Sequence, residues 1–265
     1  MLAQHGLPPN KTIEAMKKAN WAENTAAEVL AVALSEFVRN QTTPQVAPEP
    51  GPDLSGFPLE IDVGDHTVRV LMNMQQPRII LFSDFLSVEE CGLIMQEAAP
   101  RLTRSTVMSK NGVGNEVIPA RSSSGMFFKR GETNVLSKIE QRIARIFCWP
   151  EENGEGVQVL RYGMGEEYKP HYDYFGPEKP YSQTQLQRGG NRIGTLVMYL
   201  NDVPKGGGTT FPDMGGMTVS AARGNAVYFS YPLAHPISKS LHGGSPVLEG
   251  EKWVAIKWLR ESTFT

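Results

Sequence analysis

The spacing of apolar residues changes twice along this chain. Between residues 12 and 39 they recur three and four apart, the rhythm of amphipathic helices: Ala15, Met16, Ala19 and Trp21, then Ala26, Val29, Leu30, Ala33, Leu34 and Phe37. Asn24 or Thr25 is placed to cap the second helix. Residues 41–58, rich in Pro, Gly and polar groups, lose any period and predict an extended linker. From residue 59 the pattern alternates or runs apolar, in LEIDVG, HTVRVLM and PRIILFSDFL, as strands do. Ser87 with Glu90 three residues on predicts a capping box that opens a helix over VEECGLIMQEAA. A second helix is expected over 134–147, with Val135, Ile139, Ile143 and Ile146 on one stripe. Beyond it come short strands separated by Gly and Pro: VQVLRY, GTLVMYLND, MTVSAAR, AVYFSY and KWVAIKWL. Helices followed by many short strands predict an α+β chain, a double-stranded β-helix (jelly roll) backed by helices. The divisions are an N-terminal helical segment (1–40), the linker (41–58) and the main domain (59–265).

Composition narrows the function. With 40% hydrophobic and 20% charged residues in 265, the chain reads as an ordinary globular protein with a substantial core. A formal net charge of -2 argues against wholesale nucleic-acid binding. No apolar run is long enough to cross a membrane, and the first residues lack the features of a signal peptide. Cys91 and Cys148 have neither zinc nor redox-motif spacing and are expected to be buried thiols; the cytoplasm is the default location.

The chemistry concentrates in two places. In LRYGMGEEYKPHYDYF, His171 and Asp173 stand at i and i+2, so on a strand both face one point. His-x-Asp alone arises often by chance. A further histidine, His242, lies downstream, and Lys252 follows ten residues after it. Two histidines and a carboxylate make the facial triad of non-haem iron oxygenases, which leaves metal positions open. A lysine lining a barrel needs an anionic partner, which a dicarboxylate would supply.

Here the sequence resembles the prolyl 4-hydroxylase family of iron(II)- and 2-oxoglutarate-dependent dioxygenases. The resemblance rests on QVLRYGMGEEYKPHYDYF, GGNRIGTLVMYLNDVPKGGGTTFP, GNAVYFSY and LHGGSPVLEGEKWVAIKWLRE, in family order, and covers roughly 77–262. It implies that His171, Asp173 and His242 ligate iron(II). It implies that Lys252 pairs with the distal carboxylate of 2-oxoglutarate, with Tyr162 and Thr209 as hydrogen-bonding partners, although Thr210 is adjacent. Arg121, Ser123, Glu155, Tyr168, Arg192 and Trp258 match positions lining the family's peptide side. Dioxygen is the other co-substrate, with ascorbate a further candidate. A protein or peptide substrate, Pro-containing, is the expected partner; hydroxylation of a free amino acid or small molecule, and a catalytically idle peptide-binding module, are the alternatives. His235 competes with His242, and the family's spacing to Lys252 favours His242. His5, His66 and Lys257 are expected at the surface, Trp258 in core packing as well as the cleft. Ser245 stands where secreted relatives usually carry Cys. Segments 109–123 and 177–190 are candidate closing loops. The N-terminal helices suit substrate recruitment or dimerisation.

Overall fold

The computed structural model describes residues 9–19, 21–27, 29–30, 49–105, 107–108, 115–116, 122–176 and 182–265. The chain divides into two compact units, Met1–Ala47 and Pro48–Thr265. In the first, a helix spans Pro9–Lys18, with proline at its start, where no backbone donor is needed. Lys17 and Lys18 close its last turn, where cations suit the helix dipole. Further helix follows at 23–27 and 29–30; the rest of the expected N-terminal helix, 31–39, lies outside the described residues.

The second unit carries β1 (Glu60–Asp62), β2 (Thr67–Gln75), β3 (Arg78–Ser83), β4 (Thr103–Arg104), β5 (Val107–Met108), β6 (Asn115–Glu116), β7 (Ser124–Phe127), β8 (Gln158–Tyr162), β9 (Tyr168–His171), β10 (Arg192–Tyr199), β11 (Lys205–Gly206), β12 (Thr209–Phe211), β13 (Met217–Val219), β14 (Ala226–Ser230), β15 (His242–Gly244), β16 (Val247–Glu249) and β17 (Lys252–Arg260). Nine strands form the large sheet, in the order β1-β2-β3-β14-β10-β17-β8-β7-β4; a smaller sheet runs β13-β12-β15-β9. This is the jelly roll backed by helices that the strand pattern implied.

Period-two alternation gives the large sheet two different faces. Leu196, Met198, Tyr228, Trp253, Ala255, Val159 and Leu259 join one core with the helices Val88–Ala98 and Asn134–Phe147. Leu160, Tyr162, Val197, Tyr199, Val227, Phe229 and Val254 face the other way and join Phe211 and Val219 of the small sheet. The first helix has the expected capping box: Glu90 N–H donates to Ser87 Oγ, and Ser87 N–H donates to the Glu90 carboxylate. The second buries Val135, Leu136, Ile139, Ile143, Ile146 and Phe147. It ends at Cys148, whose left-handed backbone (φ 48) turns the thiol to the exterior; only Cys91 is buried.

Two further expectations change. The stretch 49–58, read as linker, lies against the body: Gly51 N–H donates to Phe147 O (3.0 Å), Arg78 donates to Pro52 O (3.0 Å), and Leu54 is buried. Proline-rich backbone can serve as a strap because other groups donate to its carbonyls. Lys257, read as exposed, is 2% exposed and pairs with the equally buried Glu140 of the helix. It lies on the helix-backed side of β17, a strand paired on both edges, so it reaches a partner and not solvent.

Removing one member of such a buried pair strands the other. Lys257→Met is therefore expected to cost roughly 3–5 kcal/mol. The double variant Lys257→Met/Glu140→Gln should regain most of that, since Gln can still accept from Gly131 N–H, which now bonds Glu140 at 2.6 Å. Urea unfolding of the two variants checks both statements.

Candidate metal centre and anion pocket

His171 closes β9, and Asp173 follows two residues later. His242 opens β15 and stands directly opposite His171 in the antiparallel register. That approach needs a bare backbone beside it: a Cβ on Gly243 would stand 2.8 Å from Tyr168 O. Potential ligand atoms of the three side chains lie within 4.8 Å of one another. Nε2 of His171 is 3.5 Å from Asp173 Oδ1, and Nε2 of His242 is 3.5 Å from Oδ2.

The surroundings prepare each group as a ligand. His171 Nδ1 donates to Lys169 O (2.9 Å), and His242 Nδ1 donates to Ser240 O (3.0 Å). Both protons are thereby fixed on Nδ1, leaving the Nε2 lone pairs toward the centre. Burial pushes His242 down to about 4, so its imidazole is neutral. Burial alone would raise the Asp173 carboxyl, but His242, His171 and Arg192 outweigh it and hold the group well below the usual carboxylate range. Asp173 Oδ2 accepts from Thr195 Oγ1 (2.8 Å) and Trp258 Nε1 (2.9 Å), which leaves Oδ1 as the less engaged oxygen. Thr195 in turn bonds the Tyr231 hydroxyl (2.6 Å). Two imidazoles and one ionised carboxylate converging on a point fit iron(II) and its facial ligation.

Beside this centre sits a buried cation. Lys252 is 4% exposed, and among the described residues no carboxylate forms an ion pair with it. Burial lowers it to about 8. Its ammonium lies 5.6 Å from the ring centre of Tyr162, its register partner on β8, and 5.9 Å from that of Tyr199. A Cβ on Gly244 would stand 3.6 Å from Lys252 Nζ, so β15 leaves room where the ammonium points. Thr209 is buried and accepts from the Tyr199 hydroxyl (2.8 Å); its neighbour Thr210 turns away to Gly243 O (3.3 Å). The arrangement suits an anion reaching from the metal triad to Lys252.

The residues matched to the peptide side fall into several places. Glu155 is buried between two guanidiniums, with Arg192 Nε at 2.6 Å and Arg260 Nε at 2.8 Å, and its carboxyl stays low: burial would raise it, but the two arginines prevail. Arg192 also lies over the Trp258 ring, 3.7 Å from its centre. Tyr168 stacks on His171 with ring centres 3.8 Å apart. Ser123 is buried and donates to Ser105 Oγ (2.9 Å). Arg121 lies outside the described residues, as do His5, most of segment 109–123 and the first part (177–181) of segment 177–190, whose remainder carries a short helix, Ser182–Leu186. His235 is exposed and accepts from Ile237 N–H, away from the triad; His66 is half-buried beside Asp84 O. Thr195, Tyr199, Tyr231 and Arg260 also shape the centre. Their signal in the sequence is only that of polar positions within apolar strands.

Comparison with known proteins agrees with this chemistry. A family model described as the 2OG-Fe(II) oxygenase superfamily matches residues 157–260. Prolyl 4-hydroxylase 1 of Arabidopsis thaliana is 43% identical over 204 residues, 70% of this chain and 69% of its own. Prolyl 4-hydroxylase 5 of the same plant is 37% identical over 209 residues, 71% and 70% of the two chains. Among solved structures, the viral collagen prolyl hydroxylase of Paramecium Bursaria Chlorella virus-1, in its 2OG complex, superposes with TM-score 0.52 at 28% identity, covering 69% of this chain and 95% of that one.

The two hydrogen bonds on Asp173 Oδ2 generate a prediction. Thr195→Val and Trp258→Phe should each weaken Mn(II) affinity by roughly 10–100-fold, the usual effect of losing an outer partner of a metal ligand. Titration calorimetry measures it, and an unchanged affinity would mean that the carboxylate is oriented by other contacts.

Proposed function

The chain belongs to the prolyl 4-hydroxylase family of the 2OG-Fe(II) oxygenase superfamily, and from that premise we propose that it hydroxylates a prolyl residue in a protein or peptide. The reaction consumes 2-oxoglutarate and dioxygen and releases succinate and carbon dioxide. His171, Asp173 and His242 hold iron(II). Bound there, the metal supplies dioxygen activation coupled to oxidative decarboxylation.

The protein's own groups do the rest. Lys252 is the observation that carries the reading: a buried ammonium on the large sheet, reaching toward Gly244 on the His242 strand of the small one, with no carboxylate of the described chain to pair with. A dicarboxylate would pair its distal end with this buried cation in a charge-assisted bond, leaving its other end for the metal. Thr209 and Tyr162 border the same space and add hydrogen bonds to the distal carboxylate. Thr195 and Trp258 hold Asp173 by Oδ2, so that Oδ1 would be the oxygen offered to the metal. Arg192, Glu155, Tyr168 and Trp258 form the substrate side, to which the family resemblance also assigns Arg121 and the buried Ser123. The mouth therefore presents cationic and aromatic groups, which suit a peptide's carbonyls and an apolar ring. No helix among the described residues is long and apolar enough to cross a membrane. The free Cys91 and Cys148, and Ser245 in the place of a cysteine, support a reducing compartment such as the cytoplasm.

Succinate release with a Pro-rich peptide, together with the gain of one oxygen atom on a peptide proline by mass spectrometry, tests the reading. Oxygen found on a free amino acid and never on a peptide would replace it. His171→Ala should abolish both products. Lys252→Ala should raise the KM for 2-oxoglutarate roughly 30-fold or more, the scale of losing one partner of a buried charge pair, with Mn(II) affinity retained.

The lowered Lys252 also sets a pH dependence. The ammonium is present below about 8 and is lost above it, so anion binding is strong on the acid side and fades on the alkaline side. In the wild type the KM for 2-oxoglutarate should climb above pH 8, by at most about tenfold per pH unit. Lys252→Ala should remove that climb. A wild-type KM that stays flat through pH 9.5 would count against the assignment.

A further inference from the structure

The segment that follows β17, Glu261–Thr265, lies against a limb of the chain that leads into the mouth. That limb, 182–191, opens with the short helix Ser182–Leu186 and runs directly into Arg192. The two meet backbone to backbone: Ser262 N–H donates to Gly189 O (3.0 Å), Glu261 N–H donates to Asn191 O (3.1 Å), and a Cβ on Gly189 would stand 2.9 Å from Ser262 O. Arg188 Nε donates to Thr265 O (2.9 Å). The side chains add a ladder in which rings and guanidiniums alternate. Arg188 lies 4.4 Å from the ring centre of Phe264. Arg260 lies 5.1 Å from that ring and 4.9 Å from the ring of Phe175. Arg192 lies 5.0 Å from Phe175 and 3.7 Å from Trp258. The inner end of the ladder is the indole that donates to Asp173, and the outer end is the exposed Arg188. Arg260, at the middle, is fully buried. It shares Glu155 with Arg192, its Nη1 donates to Gln185 O (3.3 Å) and Gly190 O (2.6 Å) of the limb, and its Nη2 has no acceptor among the described residues. The rings of Phe175 and Phe264 offset the rest of the cost of burying that charge.

We propose that Phe264 is a positioning residue for substrate binding: it clamps the limb 182–190 to the body and, through Arg260 and Phe175, steadies the Arg192 guanidinium at the mouth. The proposal rests on the reading above that Arg192 belongs to the substrate side, and deepens it. Phe264 is itself held by its backbone, whose N–H donates to Glu152 O (2.8 Å) and whose carbonyl accepts from Arg130 Nη1 (3.1 Å). A half-buried ring on a fixed backbone gives the limb a seat. Each contact at the outer end of the ladder is weak alone, so the seated limb is one population among others, and peptide affinity scales with its fraction. Weakening the clamp lowers that fraction. It leaves His171, Asp173, His242 and Lys252 as they are, because other strands hold them. The ring is needed as a ring: any apolar group of similar size satisfies packing, whereas a guanidinium is attracted only by the face of a π system.

The test uses the full chain and three substitutions. Phe264→Leu keeps apolar bulk and loses the ring face, Phe264→Tyr keeps both, and Arg188→Gln removes the outermost cation. Phe264→Leu should raise the KM for a Pro-containing peptide roughly three- to tenfold, the scale of one or two cation–π contacts, and Phe264→Tyr should stay near the wild type. Arg188→Gln should raise it as well, and the double variant Phe264→Leu/Arg188→Gln should fall short of the product of the two single effects, since the pair shares one contact. Turnover of 2-oxoglutarate without peptide, and calorimetric affinities for Mn(II) and 2-oxoglutarate, should not move in any variant. Hydrogen exchange at amides 182–190 reads the clamp without substrate: faster in Phe264→Leu, unchanged in Phe264→Tyr. A peptide KM that Phe264→Leu leaves at the wild-type value overturns the proposal. So does a parallel loss of 2-oxoglutarate affinity, which would make the ring a general packing element. A wild type that consumes 2-oxoglutarate yet hydroxylates no proline peptide is a distinct failure, that of the prolyl reading; faster exchange in Phe264→Leu would uphold the clamp even then, and unchanged exchange would overturn it.

Discussion

An ionised carboxylate is costly to remove from water unless charge and hydrogen bonds replace the solvent, and Asp173 is 8% exposed. Its compensation comes from four strands, three of them distant in sequence. His171 arrives on β9 and His242 on β15 of the small sheet; Thr195 on β10 and Trp258 on β17 belong to the large one. The carboxylate is therefore where the two sheets of the jelly roll are tied together by polar bonds. The same bonds prepare it as a ligand, because they occupy Oδ2 and leave Oδ1 to the centre. Packing and chemistry share one requirement here: any shift of β10 against β17 would separate the Thr195 and Trp258 donors that converge on a single oxygen.

Charge is distributed by the same logic elsewhere in the interior. Glu155 is met by Arg192 and Arg260, and Lys257 is met by Glu140; each buried charge has its counterpart among the described residues. Lys252 departs from that rule. Two tyrosine rings lie near it, and cation–π contact softens the cost of burial without cancelling the charge. A buried cation lacking an anion is a local sacrifice of stability, and at a functional site such a deficit marks where a ligand completes the structure. The deficit lies on the metal-facing side of the sheet; the helix-backed side is neutralised throughout.

Much of this was legible in the sequence, and the part that was not has a physical reason. Strand periodicity suggests one face for His171 and Asp173, although β9 ends at His171 and Asp173 converges from the bend beyond it, and family spacing selects His242 and Lys252. These are local facts about short stretches. Thr195, Tyr231 and Tyr199 look like ordinary polar positions in apolar strands, because their role depends on which strand lies beside which. No spacing along the chain shows that β17 separates β10 from β8. Cys148 is exposed where its residue type suggests burial, because it is a left-handed residue ending a helix. The proline-rich stretch 49–58 packs where its composition suggests a linker, because composition reports lost donors and is blind to carbonyls that other groups can reach.

β17 shows how narrow the margin is. Its sequence, KWVAIKWLR, contains Lys-Trp twice, five residues apart. Five is odd and the strand period is two, so the two pairs present opposite residues to each face. Lys252 and Trp258 turn to the metal side, while Trp253 and Lys257 turn to the helices. Reading either pair alone cannot tell a pocket lysine from a structural one. The register settles it: Lys252 pairs with Tyr162 on β8, and Thr195 pairs with Trp258 on β10. A slip of one residue would send Lys252 into the helix core and Lys257 toward the triad, leaving Glu140 without its cation and Asp173 without its indole donor. Both penalties fall on buried charges, one on each face of the sheet. The groups that serve the reaction and the pair that serves the core thus enforce one register together.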